Sequence, residues 1–539
     1  MKKLFTFSFL LITIYISAQD LSLIKFADKP SSADYFDNPL LMLSQKALDR
    51  RAKYNIELNM QDVPVEQSYI TQVENLGIQP IAVSKWFNGV FAWLTDAQVS
   101  QAESLSFVSE VESLVRSENK QKTGNSTFDK FNVPNSLGQE PQLDVFDFNY
   151  GYTEEQITQL HLDYLHNLGF TGDGMTIAIL DAGFPEVDNI SAFDYIRNNG
   201  QIKGGYNFVD DNDSFYIRGD HGTMVLSTIG GYVENQFVGT AIDADFYLFI
   251  TEDVNHEMPD EEAFWIEAAE RADSLGVDVI NTSLGYSEFD DSRYDYTYED
   301  MNGETAFISR GAQIATEKGV MVVVSAGNSG TDSWHYITTP ADAKDVFTIG
   351  AVDVDGNSAG FSSYGPSADG RIKPDVDSRG LYATIIRQNG DINYGSGTSF
   401  SSPIMAGAMA CFIQAFPDEN PMDVRQTVRQ SANHYTNPTD QMGYGIPNFE
   451  LAYDYMLSVD DVVLQQNLVS VYPNPSSGIV NIQSKKEIQQ VQLISVEGKI
   501  IRKYKNENQI NIQDLPKGVY VLKVQLNNGK TEVKKLIKK

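Results

Sequence analysis

The chain has 539 residues, 42% of them hydrophobic and 11% aromatic, and a formal charge of −33. It is too long for one compact domain and too apolar for wholesale disorder, and its acidity repels nucleic acid and anionic membranes. A single cysteine excludes an intramolecular disulfide framework and any multi-cysteine metal centre.

Lys2 and Lys3 precede an apolar run over residues 4–16, and Ser17-Ala18-Gln19 follows. The run is shorter than the roughly 20 residues of a spanning helix, and the small residues after it suit a signal peptidase. Residues 1–18 are therefore expected to be a signal peptide, and no later stretch is long and apolar enough for a transmembrane helix. Residues 19–117 read as a small α+β domain. In it, 65–76 has helical spacing, 88–94 is a strand after an Asn-Gly turn, and Thr95 caps a helix beginning at Asp96. Residues 118–149 are rich in Asn, Gln, Ser, Lys and Pro without periodicity, which marks a linker.

The domain expected over 150–457 has continuous apolar runs at 175–180, 245–250, 277–280, 320–324 and 346–352, with helical segments such as 261–275 and 306–318 between them. Strands apolar on both faces and separated by helices predict an α/β domain with a mostly parallel sheet covered on both sides. Residues 150–454 carry 14 basic and 48 acidic residues, a balance of −34, whereas 468–539 carry 13 and 5, or +8. That tail consists of short alternating runs between turn signals, and predicts a small β-sandwich of about six or seven strands.

Four segments of the central domain fall at predicted strand ends or helix starts, where an open α/β sheet places its ligands. They are Ile177-Ala178-Ile179-Leu180-Asp181-Ala182-Gly183, Gly219-Asp220-His221-Gly222-Thr223, Val324-Ser325-Ala326-Gly327-Asn328 and Gly397-Thr398-Ser399-Phe400-Ser401-Ser402-Pro403. Each alone has a bland reading as a turn or a helix cap. All four together, with a chain order of Asp, His and Ser, match the subtilisin order of a nucleophilic triad. Serine needs a base to take its proton, imidazole is the side chain that does so near neutral pH, and a carboxylate orients the imidazole.

On these motifs residues 150–457 resemble the subtilisin-like (subtilase) serine peptidases. Asn281-Thr282-Ser283-Leu284-Gly285 and Lys373-Pro374-Asp375-Val376 are also similar to family segments. The resemblance implies a three-layer subtilisin-like fold and a secreted serine endopeptidase acting through an acyl-enzyme. It further implies Asp181, His221 and Ser399 as the triad, Asn328 as a side-chain oxyanion donor, and Ser283, Leu284, Gly285, Ser325, Ala326 and Gly327 as substrate-binding residues. The small groups at 325–327 suit a medium or large apolar side chain before the cut. Two departures stand out: Met224 replaces a common second histidine, and Ser378-Arg379-Gly380 replaces a common Ala-Pro-Gly. Neither removes a triad member.

The other histidines lack such a setting: His161 and His166 are expected on a surface helix, and His256, His335 and His434 in loops, all structural or exposed. Residues 19–117, with Trp86-Phe87-Asn88-Gly89-Val90, resemble the family's inhibitory propeptide, so that 118–149 becomes a processing region. Tyr472-Pro473-Asn474-Pro475 and Leu515-Pro516-Lys517-Gly518-Val519-Tyr520 make 468–539 resemble the sorting domain of type IX (Por) secretion, which implies that machinery as a partner and a secreted or cell-surface location. No cofactor is implied for catalysis. The acidic stretch 288–300 reads as a solvated loop or as a structural calcium site. A rival reading, a surface adhesin on an inactive protease scaffold, is disfavoured by the complete catalytic set. A sedolisin-type peptidase would carry glutamate where His221 stands.

Overall fold

The computed structural model describes residues 19–116, 131, 148–463, 469–484, 486–495, 499–527 and 531–539. The expected signal peptide and almost all of the expected processing region lie outside them. The chain divides into two units, Met1–Tyr453 and Asp454–Lys539, each treated by itself below.

The N-terminal domain is a four-stranded antiparallel sheet in the order Pro80–Ser84, Gly89–Leu94, Asp20–Phe26, Val108–Ser113. Strand alternation gives it two apolar faces. Ile24, Val90 and Ala92 point to Ile70 and Val73 of the helix Gln67–Glu74. The residues between them, Leu21, Leu23 and Phe91, join Phe264, Trp265 and Phe307 of the central domain in one core. Thr95 and Gln98 close a capping box on the helix Asp96–Glu103. Gly89 is required, because a Cβ there would stand 2.2 Å from the Ile24 carbonyl oxygen.

A buried ion cluster fastens the same domain at its helix Gln45–Lys53. Arg51 donates to both oxygens of Asp273, at 2.9 and 2.8 Å, and to Asp62 at 3.1 Å, while Arg50 pairs with Asp273 as well. Lys318 of the central domain reaches back to Asp62 at 3.2 Å and Asn59 at 3.0 Å. Removing one partner of such a cluster leaves a buried charge uncompensated. Asp273→Asn is expected to cost about 3–5 kcal/mol of the full chain's stability, read as a fall in its urea midpoint. An unchanged midpoint would show that the cluster adds nothing.

The central domain has a seven-stranded sheet whose adjacent strands all run parallel. Its order is Val376–Arg379, Phe347–Val352, Met321–Ser325, Val279–Thr282, Thr176–Asp181, Asp245–Ile250, Ile202–Asn207. Five strands lie where the apolar runs predicted them, within two residues. The two edge strands went unseen: Ile202–Asn207 contains two glycines, and Val376–Arg379 is fully buried yet carries Asp377, Ser378 and Arg379. Strand order reverses between Thr176–Asp181 and Val279–Thr282, so the topological switch point sits beside Asp181 and Ser283.

The expected surface position of His166 is corrected. Its side chain is buried; Nε2 donates to the Thr240 carbonyl at 3.0 Å, and Nδ1 accepts from the Tyr150 hydroxyl at 2.9 Å. Burial lowers its pKa to about 4. With imidazole at about 6.5 in the unfolded chain, the native state binds fewer protons between those values. Stability is therefore full above about pH 6.5 and declines as pH falls through about 4, by about 3 kcal/mol in all. Denaturation midpoints across that window should flatten in His166→Gln; equal slopes would refute the assignment.

The C-terminal unit has two antiparallel sheets, of three and four strands, around Val480, Ile482, Val491, Leu493, Leu522 and Leu536. Its motif residues hold this fold. Asn474 donates to the Lys535 carbonyl at 2.6 Å and accepts from the Ile537 amide at 2.8 Å, and the Tyr520 hydroxyl donates to the Pro516 carbonyl at 2.8 Å. Among the described residues no helix is long and apolar enough to cross a membrane.

Candidate active site

Asp181 ends the strand Thr176–Asp181, next to the middle strand of the sheet, and His221 opens the helix His221–Gly230; both are buried. His221 Nδ1 and Asp181 Oδ1 are 2.7 Å apart, and the same oxygen accepts the Ala182 amide at 2.7 Å. The other carboxylate oxygen, Oδ2, has no partner among the described residues.

Ser399 is the second residue of the helix Thr398–Ala415 and is 5% exposed. Four residues on stands Pro403, which has no N–H for the Ser399 carbonyl. That carbonyl accepts instead from the Ser283 hydroxyl at 2.9 Å, across from the end of a sheet strand. Asn281 Nδ2 donates to Ser283 Oγ at 2.9 Å, and Ser402 Oγ donates to Asn281 Oδ1 at 2.9 Å. A chain of buried side chains thus holds the first turn of the helix against the sheet. The Ser399 hydroxyl is turned to the Ser283 carbonyl at 3.2 Å, and no hydrogen bond joins it to His221.

Asn328 follows the strand Met321–Ser325. Its Oδ1 accepts both the amide and the hydroxyl of Thr398, at 2.8 and 2.9 Å. With the oxygen held, the amide nitrogen is presented on the opposite side as a donor. Thr398 also accepts from the Gly327 amide at 3.2 Å, so one threonine orients the loop and the helix together.

These groups border a cleft of about 690 Å³. Ser399, Asn328, Ser283, Leu284, Gly285, Ser325 and Gly327 line it. Ala326 does not: its side chain is fully buried in the core shared by the sheet and the N-terminal domain, a correction that follows from alternation at a strand end. His221 does not line the cleft either, because Phe131 stands against it, ring centroids 4.9 Å apart in an edge arrangement. Phe131 belongs to no motif, and the positioning parts played by Thr398, Asn281 and Ser402 are not visible in sequence, although all three lie in the motifs of their neighbours.

Three carboxylates of the acidic stretch 288–300 are engaged within it. Asp291 binds Arg293, Asp295 accepts the Phe289 amide, and Asp300 caps Thr297. Among the described residues no group of three or more His, Cys, Asp or Glu side chains converges.

Fold and site together have the character of the subtilases, and residues 172–445 match the Subtilase family (Peptidase S8): the chain belongs to that family of serine peptidases. More particularly, residues 21–128 match the Peptidase S8 propeptide domain of Bacteroidota, and 470–539 the secretion system C-terminal sorting domain. It is thus a subtilisin-like serine peptidase with a zymogen propeptide and a type IX sorting tail that directs it to the cell surface or the extracellular space. Subtilisin Savinase of Lederbergia lenta is 27% identical over 298 residues, which span 55% of this chain and 97% of that protein. An alkaline protease of Alkalihalobacillus alcalophilus is likewise 27% identical, over 55% of this chain and 68% of its own length. The crystal structure of MycP1 with its N-terminal propeptide removed covers 56% of this chain and 96% of that one at 22% identity, with a TM-score of 0.44.

Proposed function

We propose that the peptidase cuts within polypeptides through a triad of Asp181, His221 and Ser399, with an acyl-enzyme on Ser399 Oγ. The observation that carries this reading is the 2.7 Å Asp181–His221 contact beside a cleft lined by Ser399 and Asn328. His221 accepts the Ser399 proton as Oγ attacks the carbonyl carbon, then returns it to the leaving amine; water repeats the cycle on the ester. Asp181 holds Nδ1–H toward itself, leaving Nε2 as the base, and stabilises the imidazolium. The carbonyl oxygen, negative in the tetrahedral intermediate, is met by the Asn328 side-chain amide and by the Ser399 backbone N–H at the helix start. The substrate lies extended on the edge Ser283–Gly285, with the segment before the scissile bond in the cleft. This chemistry uses groups of the chain and water and needs no cofactor.

The Ser399 hydroxyl must rotate from the Ser283 carbonyl toward His221, and Phe131 must leave the imidazole, before attack. Both features suit a latent proenzyme. Labelling of the exported protein with a fluorophosphonate tests the reading: an adduct that vanishes in Ser399→Ala supports it, and no Ser399-dependent adduct sinks it.

A further inference from the structure

The cleft that holds Ser399 has a one-sided charge. Asp253, Glu257, Glu288, Asp290 and Asp332 line it, no lysine or arginine does so among the described residues, and His256 is the one titratable base. Arg218 stands 3.4 Å from Asp253 and offsets that carboxylate. Glu288, Asp290 and Asp332 are exposed and have no ion-pair partner among the described residues. Other lining residues are small or apolar: Gly285, Ser325 and Gly327 leave room, and Val254 and Trp334 supply apolar surface. A second observation places polypeptide in the same cleft. Phe131 of this chain lines it and rests on His221.

We propose that Glu288, Asp290 and Asp332 make the cleft selective for peptides that carry lysine or arginine close to the scissile bond on its N-terminal side. The proposal rests on the Ser399 reading above. A long basic side chain suits the geometry because its methylene stem lies along apolar wall while its head stays at a wet, negative rim. Acidic residues at the same positions meet like charge and are rejected. The apolar preference suggested by the small residues 325–327 is thereby sharpened: the wall accepts the stem and the rim selects the head.

The test uses the protein recovered from the medium of its producing cell and peptide pairs that differ only by lysine or glutamine before the bond. kcat/KM should favour lysine at least about tenfold at low salt, and the ratio should shrink as ionic strength shortens the Debye length. In the combined variant Glu288→Gln, Asp290→Asn, Asp332→Asn the ratio should fall toward one. These changes remove 3 of the 34 net negative charges carried by residues 150–454, so long-range steering by the whole domain would leave the ratio standing. Cleavage with no lysine preference, or a preference untouched in the variant, overturns the proposal and leaves the Ser399 mechanism intact. No cleavage together with no Ser399-dependent adduct overturns both.

Discussion

Ser399→Ala is expected to lower kcat by about six orders of magnitude, the loss established for the same deletion in subtilisin, with a residual rate from binding and oxyanion donors alone. The change removes the one atom that would form the ester, and little else. Its hydroxyl makes a single 3.2 Å bond, to the Ser283 carbonyl, whereas the backbone of the residue is held independently by the Ser283 hydroxyl on its carbonyl. The alanine protein should therefore fold and melt close to the parent. Single-turnover hydrolysis of a peptide ester, beside a thermal melt, separates the two effects. Retention of more than about a hundredth of the activity would mean that another group attacks the carbonyl.

Asp181→Asn should cost about four orders of magnitude in kcat, more than any change at the oxyanion side. The reason lies in the sharing of Asp181 Oδ1 between His221 Nδ1 and the Ala182 amide. If the new amide keeps its oxygen there, His221 retains its tautomer but loses the negative charge that stabilises imidazolium. If the amide turns, its nitrogen faces two donors, and the imidazole proton is driven to the nitrogen that should accept from Ser399. Either orientation disables the base. The measurement is kcat at neutral pH, with fluorophosphonate labelling of the folded protein. A loss of less than tenfold would show that the carboxylate only packs.

Much of this was legible in the sequence, because the chemistry sits in short, strongly patterned segments. Asp181 ends a buried strand of six residues, His221 is flanked by glycine at a helix start, and Ser399 lies in a motif that ends in Pro403 of its own helix. The buried strands showed themselves by largely apolar runs, and the capping box at Thr95 by spacing alone. What stayed hidden depends on distance in space. Ile202–Asn207 has glycines in place of alternation, and His166 looks like any polar residue of a short helix until Tyr150 and Thr240 close over it. The acidic rim draws on segments beginning at Asp253, Glu288 and Asp332, so no window of sequence contains it. Ala326 was misplaced for a local reason: neighbouring residues of an extended segment face opposite ways, and only Ser325 and Gly327 reach the cleft.

The helix that bears Ser399 opens at a turn its own ladder cannot complete, since Pro403 offers no N–H to the Ser399 carbonyl. The vacancy is filled by Ser283, which Asn281 and then Ser402 hold in turn. Pro403, Ser283, Asn281 and Ser402 consequently act on the nucleophile as one unit. A mutation at any of them reaches the nucleophile without touching it, and reversion elsewhere cannot easily mend it. A descendant that keeps aspartate, histidine and serine but has let Asn281 or Ser402 drift should be suspected of having already given up the reaction, well before the triad itself records the loss.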